Sequence, residues 1–198
     1  MSNEYPGVRS EHDEQPRLFG FWLFLMSDAL IFALLFAVYA TMIHATDGGP
    51  SGKDVFELKS SAIETLLLLV SSFTFGMASL NLKYRPHTLG PLVGWLVLTL
   101  VLGLGFVALE LNDFRIMVEH GATAQRSGFL SAFYALVSTH GLHVSAGCLW
   151  LALMLVQLKV FGLDATVKLR LMCLALFWHF LDVIWVAIYG VVYLQGLI

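Results

Sequence analysis

The last long apolar run of the chain contains the decapeptide LFWHFLDVIW, residues 176–185. Two ionisable side chains, His179 and Asp182, lie in it one helical turn apart, among residues that otherwise suit the interior of a membrane. An ionisable group at bilayer depth costs at least about 2.5–3.5 kcal/mol, so such groups usually face neighbouring helices and mark a functional site. The pattern recurs upstream, where His140 and His143 lie in THGLHV, residues 139–144. The chain therefore combines apolar spans with a polar interior.

The overall composition points to the same class. The 198 residues are 58% hydrophobic and 13% charged, whereas soluble domains are about 45–50% apolar and about 25% charged. The mean hydropathy of +0.79 also predicts an integral membrane protein. A net charge of -3 without a basic patch argues against a nucleic-acid partner. Cys148 and Cys173 lie in apolar runs, so we expect small buried hydrophobic residues and no disulfide.

Apolar runs close to the roughly 20 residues that cross a bilayer predict an all-α bundle of five transmembrane helices. The predicted spans are Leu18–Ala45, Ser60–Leu82, Leu89–Leu111, Gly128–Val160 and Lys168–Gly196. Residues 1–17 form a polar N-terminal segment ahead of a transmembrane domain at residues 18–198. The first apolar run is too long for a signal peptide, so we expect it to stay in the membrane. Short connections predict that sequential helices pack as antiparallel neighbours.

The distribution of Lys and Arg predicts the orientation, because cytoplasmic loops carry an excess of both. Seven lie on the N-terminal side of the predicted spans: Arg9, Arg17, Lys83, Arg85, Lys159, Lys168 and Arg170. Four lie on the opposite side: Lys53, Lys59, Arg115 and Arg126. The N-terminus is therefore predicted to be cytoplasmic and the C-terminus periplasmic.

Counting residues from the span ends, at about 1.5 Å each, sorts the ionisable groups into two layers. A layer near the midplane contains Asp28, His140, His143, His179 and Asp182. Glu64 and Glu110 lie closer to the outer ends of their spans, where we expect solvated or loop-capping roles.

The polar groups admit several interpretations. The simplest interpretation is that they form interhelical hydrogen bonds. On the fourth span a stripe of small residues would let a neighbouring helix approach closely enough for such bonds: Gly141, Ser145, Cys148 and Ala152. Trp178 and Trp185 flank the polar face of the fifth span. Di-iron sites in bundles use Glu-x-x-His motifs, and the chain has none. A haem could take an axial histidine, although nothing marks one. Contacts with lipid headgroups, quinone or protons stay open.

Asp28, in LMSDALIF at residues 25–32, is the hardest of these residues to explain by packing. A lone carboxyl in apolar surroundings is either a protonated hydrogen-bond donor or the partner of His140, His143 or His179. No P-loop, dinucleotide-binding glycine pattern, haem-attachment motif or nucleophile elbow occurs in the sequence.

Several motifs together resemble subunit III of the haem-copper terminal oxidases, most closely the five-helix form of the cytochrome bo-type ubiquinol oxidases. They are FGFWLFLMSD at residues 19–28, GPSGKDVFEL at 49–58, ETLLL at 64–68, RSGFLSAF at 126–133, THGLHV at 139–144 and LFWHFLDVIW at 176–185. The resemblance covers nearly all of the chain after about Leu18.

The resemblance implies an accessory subunit without haem or copper of its own. It implies packing on subunit I, which holds the haems, copper and proton pathways, and a complex with subunits II and IV in the bacterial inner membrane. Asp28 falls where many relatives carry a membrane-buried Glu. Bound phospholipid is implied as well, and the candidates for buried polar or lipid contacts are Asp28, Glu64, His140, His143, Trp178, His179 and Asp182.

The expected role is therefore assembly, stability and lipid binding in a proton-pumping ubiquinol oxidase that reduces oxygen to water. Subunit III of a cytochrome c or menaquinol oxidase is the nearest alternative. A proton-coupled transporter would also use intramembrane Asp and His, but the inverted repeats or broken helices typical of transporters are missing. A membrane di-metal oxidase is the third alternative.

Overall fold

The structure is a computed structural model that describes residues 6–48, 58–84 and 89–194. Its helices are α1 (Pro6–Met42), α2 (Leu58–Tyr84), α3 (Leu89–Glu119), α4 (Gly128–Phe161) and α5 (Ala165–Ile188). A π-helical segment, Tyr189–Leu194, continues α5. Within these ranges, five spans are long and apolar enough to cross a membrane, with the π segment counted as part of the fifth. This confirms the predicted all-α bundle of five transmembrane helices.

Two helix boundaries differ from the prediction by two turns or more, whereas the other described boundaries differ by three residues or fewer. α1 begins at Pro6, inside the polar segment 1–17, and α3 runs on to Glu119, two turns beyond Leu111. Asn112 and Asp113 resemble a helix end in sequence, yet the backbone continues because the partly buried Phe114 and the buried Met117 still pack on the core. The glycine-rich loop at 49–57, the connection at 85–88 and the predicted end of the last span at Gly196 lie outside the described residues.

Local chemistry sets both ends of α4. The side chain of Ser127 accepts a hydrogen bond of 3.2 Å from the backbone N–H of Leu130, which caps the first turn. Gly162 ends the helix with φ of 69°, a conformation that suits glycine, and its N–H donates to Leu158 O. The backbone N–H of Phe129 donates to Ala45 O at 3.1 Å, which fixes the start of α4 against the end of α1.

The helices are not arranged in simple sequential order. α4 and α5 are central: α4 packs on α1, α3 and α5, whereas α5 packs on α1, α2 and α4. α2 and α3 form the most extensive helix pair. Among the described residues, α1 makes its main contacts with α4 and α5 and not with α2, so the expectation of sequential packing was wrong for this pair.

Each helix buries one stripe. On α1 the stripe is Leu25, Asp28, Phe32 and Tyr39, so the carboxyl of Asp28 points towards other helices and not towards lipid. On α5 the stripe is Trp178, Leu181, Trp185 and Ile188. The two tryptophans that flank the polar face in sequence are therefore in the core, while His179 and Asp182 are only partly buried.

Trp178 joins three helices. From α5 its indole N–H donates to Ser71 Oγ of α2 at 3.1 Å. Its ring lies over Gly103 of α3, where a Cβ would come within 2.7 Å of the ring atom Cη2 and 3.0 Å of Cys148 Sγ. Both cysteines are free. Cys148 is buried as expected, whereas Cys173 is only partly buried.

We expect Gly103→Ala to destabilise the protein by about 1–3 kcal/mol, because overpacking against a rigid indole forces neighbouring side chains or backbone to shift. Gly94→Ala on the same helix is the matched control, since no atom lies within 4 Å of its added Cβ. Thermal unfolding of the detergent-solubilised protein measures the difference. Equal melting temperatures for the two variants would contradict the close Trp178–Gly103 packing.

Candidate functional site

Asp28 of α1 faces His143 of α4. Asp28 is 6% exposed, and its Oδ2 lies 3.6 Å from His143 Nε2, slightly longer than a hydrogen bond. The sequence left His140, His143 and His179 as possible partners of Asp28, and the structure places His143 beside it. The ring of Phe32 lies 5.3 Å from the imidazole, which keeps this side of the pair apolar.

The second ring nitrogen of His143 determines what the pair can do. His143 Nδ1 lies 2.7 Å from the backbone O of Thr139, and a carbonyl can only accept, so Nδ1 carries a proton. Nε2 is therefore the nitrogen that the ring presents to Asp28 across the α1–α4 contact, and in a neutral imidazole it can accept a hydrogen bond.

A second polar group links α2 and α5. Ser72 Oγ lies 2.8 Å from His179 Nδ1, and the same hydroxyl is hydrogen-bonded to Asp182. The rings of Phe32 and Phe180 pack 6.4 Å apart. Asp28 faces His143 and His179 is bonded to Ser72, so Asp28 and His179 belong to separate sites, although the sequence placed both near the midplane.

His140 is enclosed by aromatic rings. It is 0% exposed, and neither ring nitrogen has a hydrogen-bond partner among the described residues. The imidazole stacks on Trp185 at 5.2 Å and meets Phe106 edge-on at 5.9 Å. Its nitrogens therefore face packed side chains and not an open haem pocket.

The third polar group lies towards the other end of α2. Glu64 and Glu110 are 1% and 4% exposed, so the expected solvated or capping roles were wrong. They interact electrostatically with each other and with Asp113. Glu110 is buried because α3 extends past it and because Gly141 of α4 lies against its carboxyl. A Cβ at Gly141 would lie 2.6 Å from both oxygens of Glu110. The small residue makes room for the carboxyl.

These groups do not converge on one centre. Across residues 6–48, 58–84 and 89–194, no group of three or more His, Cys, Asp or Glu side chains is placed to hold a metal ion. The stripe of Ser145, Cys148 and Ala152 instead lines an apolar groove of about 300 Å³ against α3.

Sequence reasoning missed the hydroxyl partners on α2. Ser71 Oγ accepts the indole N–H of Trp178, and Ser72 Oγ is hydrogen-bonded to His179 Nδ1. Thr65 Oγ1 accepts from the indole N–H of Trp185 at 3.1 Å. A signal was present: Ser61, Thr65 and Ser72 recur at helical spacing along one side of an otherwise apolar span.

We expect Asp28→Leu to destabilise the protein by about 0.5–1.5 kcal/mol, because it removes the carboxyl that faces His143 Nε2 between α1 and α4. Asp28→Asn should cost less, since an amide N–H can donate to that nitrogen. Thermal unfolding of both variants measures the difference. Equal loss in the two would argue against the Asp28–His143 contact.

Ser72→Ala should lower the melting temperature more than Ser145→Ala. The first change removes a hydroxyl shared between His179 and Asp182. The second removes only a bond to Gly141 O within the same helix. The interpretation fails if the Ser145 variant is the less stable of the two.

Comparison with known proteins assigns the bundle to a family. Residues 3–197 match the family described as cytochrome c oxidase subunit III. The chain is 50% identical over 188 residues to the Cytochrome bo(3) ubiquinol oxidase subunit 3 of Pseudomonas putida, covering 94% of this chain and 90% of the relative. It is 49% identical to the protein of the same name from Pseudomonas aeruginosa, covering 90% of this chain and 85% of the relative. It is 41% identical to the Quinol oxidase subunit 3 of Bacillus subtilis, covering 91% and 87%. With its five apolar helices, the chain is a multi-pass membrane protein that belongs to the cytochrome c oxidase subunit III family, the subunit III of the haem-copper oxidases.

Proposed function

We propose that this chain is the accessory subunit III of a proton-pumping ubiquinol oxidase in a bacterial inner membrane. The complex would oxidise ubiquinol, reduce oxygen to water and move protons outward. The observation that carries the choice of donor is the 50% identity, over 94% of the chain, to a subunit named for a cytochrome bo(3) ubiquinol oxidase. The subunits named for quinol oxidases in Bacillus make a menaquinol donor the nearest alternative.

A supporting role rather than a catalytic one agrees with the chemistry of the chain. The haem and copper would reside in subunit I, with subunits II and IV completing the complex. His140, the most buried histidine, is stacked on Trp185, and His143 and His179 are engaged by Asp28 and Ser72. The interior of this subunit would thus hold its helices together and present a stable face to subunit I.

The proposed orientation has the N-terminus in the cytoplasm and the C-terminus in the periplasm. It rests on the excess of Lys and Arg at one end of the helices, where Lys159, Lys168 and Arg170 flank the turn between α4 and α5. Phospholipid would occupy the outer surface of the bundle. The partly exposed His143, His179 and Asp182 are the candidates for contact with lipid or with subunit I.

The proposal predicts that this chain, purified through a tag in mild detergent, brings a haem-containing complex with it. That complex should consume oxygen when given ubiquinol and not when given reduced cytochrome c. The chain separated from the complex should contain no stoichiometric iron or copper. A tagged preparation without haem, or metal retained by the separated subunit, would contradict the proposal.

The accessory role makes a further prediction for the Asp28–His143 pair. The double variant D28L/H143L should lower the yield of assembled complex while turnover per haem stays close to that of the wild type. Ser145→Ala serves as a control that leaves yield unchanged. Loss of turnover per haem in a fully assembled D28L/H143L complex would instead place the pair in the catalytic machinery.

A further inference from the structure

The Glu64–Glu110 pair lies apart from the midplane groups and has no part in the proposed supporting role. Glu64 is on α2 and Glu110 on α3, and both side chains are more than nine-tenths buried. The Oε1 atom of each has no hydrogen-bond partner among the described residues. Two buried carboxyls, each with one unpartnered oxygen, need an occupant that the described part of the chain does not supply.

No described cation neutralises the pair. Lys59 at the start of α2 is exposed, and Arg115 of α3 is 78% exposed and bonded to Glu119. A metal ion is not favoured either, because within the described ranges no three ligating side chains converge. Two ionised carboxylates in one buried site repel each other and lose their hydration, so such pairs keep a proton.

The groups facing the pair from the other elements are polar but not positively charged. Tyr193, in the π segment, interacts electrostatically with Glu64, Glu110 and Asp113 and is hydrogen-bonded to Ser61 of α2. Glu110 packs against Gly141 of α4. The titratable residue next to this contact on α4 is His140, which directly precedes Gly141. The π-helical turn is a second unusual feature here. Such turns are often found at functional sites, and this one carries the phenol that faces the acids.

Asp113 connects the buried pair to the surface. It is half-buried, lies one turn beyond Glu110 on α3, and interacts electrostatically with both glutamates. Each of the three acids is thus within electrostatic range of the other two, with Asp113 nearest to the helix end. Asp113 is thus the partly exposed acid that lies between the buried pair and the end of α3.

We propose that Glu64 and Glu110 form a proton-binding site that holds at least one proton between α2 and α3 and exchanges it with water through Asp113. The ligand is the proton itself, and the site is distinct from the Asp28–His143 pair. This inference does not depend on the electron donor or on the accessory role.

Infrared difference spectroscopy tests the site in the assembled complex, with glutamate isotope-labelled at the side-chain carboxyl carbon so that Asp28, Asp113 and Asp182 do not contribute. At neutral pH the wild type should show a protonated-carboxyl band that shifts in D₂O, disappears reversibly at high pH and is missing from E64Q/E110Q. Glu119→Gln, which replaces an exposed acid on the same helix, should leave the band intact. A wild type that differs from the double variant only in carboxylate bands would overturn the proposal, as would a protonated band that never titrates.

Glutamine imitates a protonated carboxyl, so E64Q and E110Q should each assemble to the level of the wild type. Failure of both single variants to assemble, while Glu119→Gln assembles, would show that charged glutamates are required and would refute the site. Asp113→Asn should keep the band but slow its shift after transfer to D₂O. An unchanged exchange rate would overturn the route through Asp113.

Discussion

The fold depends on one constraint: inside a bilayer no water satisfies a polar side chain, so its hydrogen-bond partners must come from the protein. The hydroxyls of α2 meet most of this demand. Ser71 and Thr65 accept the indole N–H groups of Trp178 and Trp185, and Ser72 is shared by His179 and Asp182. Helix α2 is therefore joined to α5 by hydrogen bonds between Thr65 and Ser72, and the large aromatic side chains of α5 pack against this part of α2.

The contrast between His140 and His143 shows how packing separates two histidines one turn apart. His143, at the edge, has a carboxyl on one nitrogen and a backbone carbonyl on the other. His140, rotated into the centre, is surrounded by Trp185, Phe106 and Phe32 and is held by ring contacts. Charge on this histidine would be uncompensated, so it acts as a flat apolar side chain.

The sequence was sufficient to predict the five spans, because the composition signal of a membrane helix extends over some 20 residues. It was insufficient at the end of α3, where Asn112 and Asp113 interrupt the apolar run although the helix continues. The partner of Asp28 could not be chosen either. That choice depends on α1 packing against α4 rather than α2, and the connecting loop does not encode this order. For the same reason the burial of Glu110 could not be predicted from the sequence, since Gly141, which packs against its carboxyl, lies on a different helix.

The position of Trp178 has a consequence for biosynthesis. Its indole occupies the gap between Ser71 and Gly103, yet it belongs to α5, which follows both α2 and α3 in the chain. Until that helix enters the bilayer, the hydroxyls of α2 and the small residues of α3 lack the surface against which they pack. The packing between α2 and α3 around Ser71 and Gly103 is therefore completed only after α5 has been inserted.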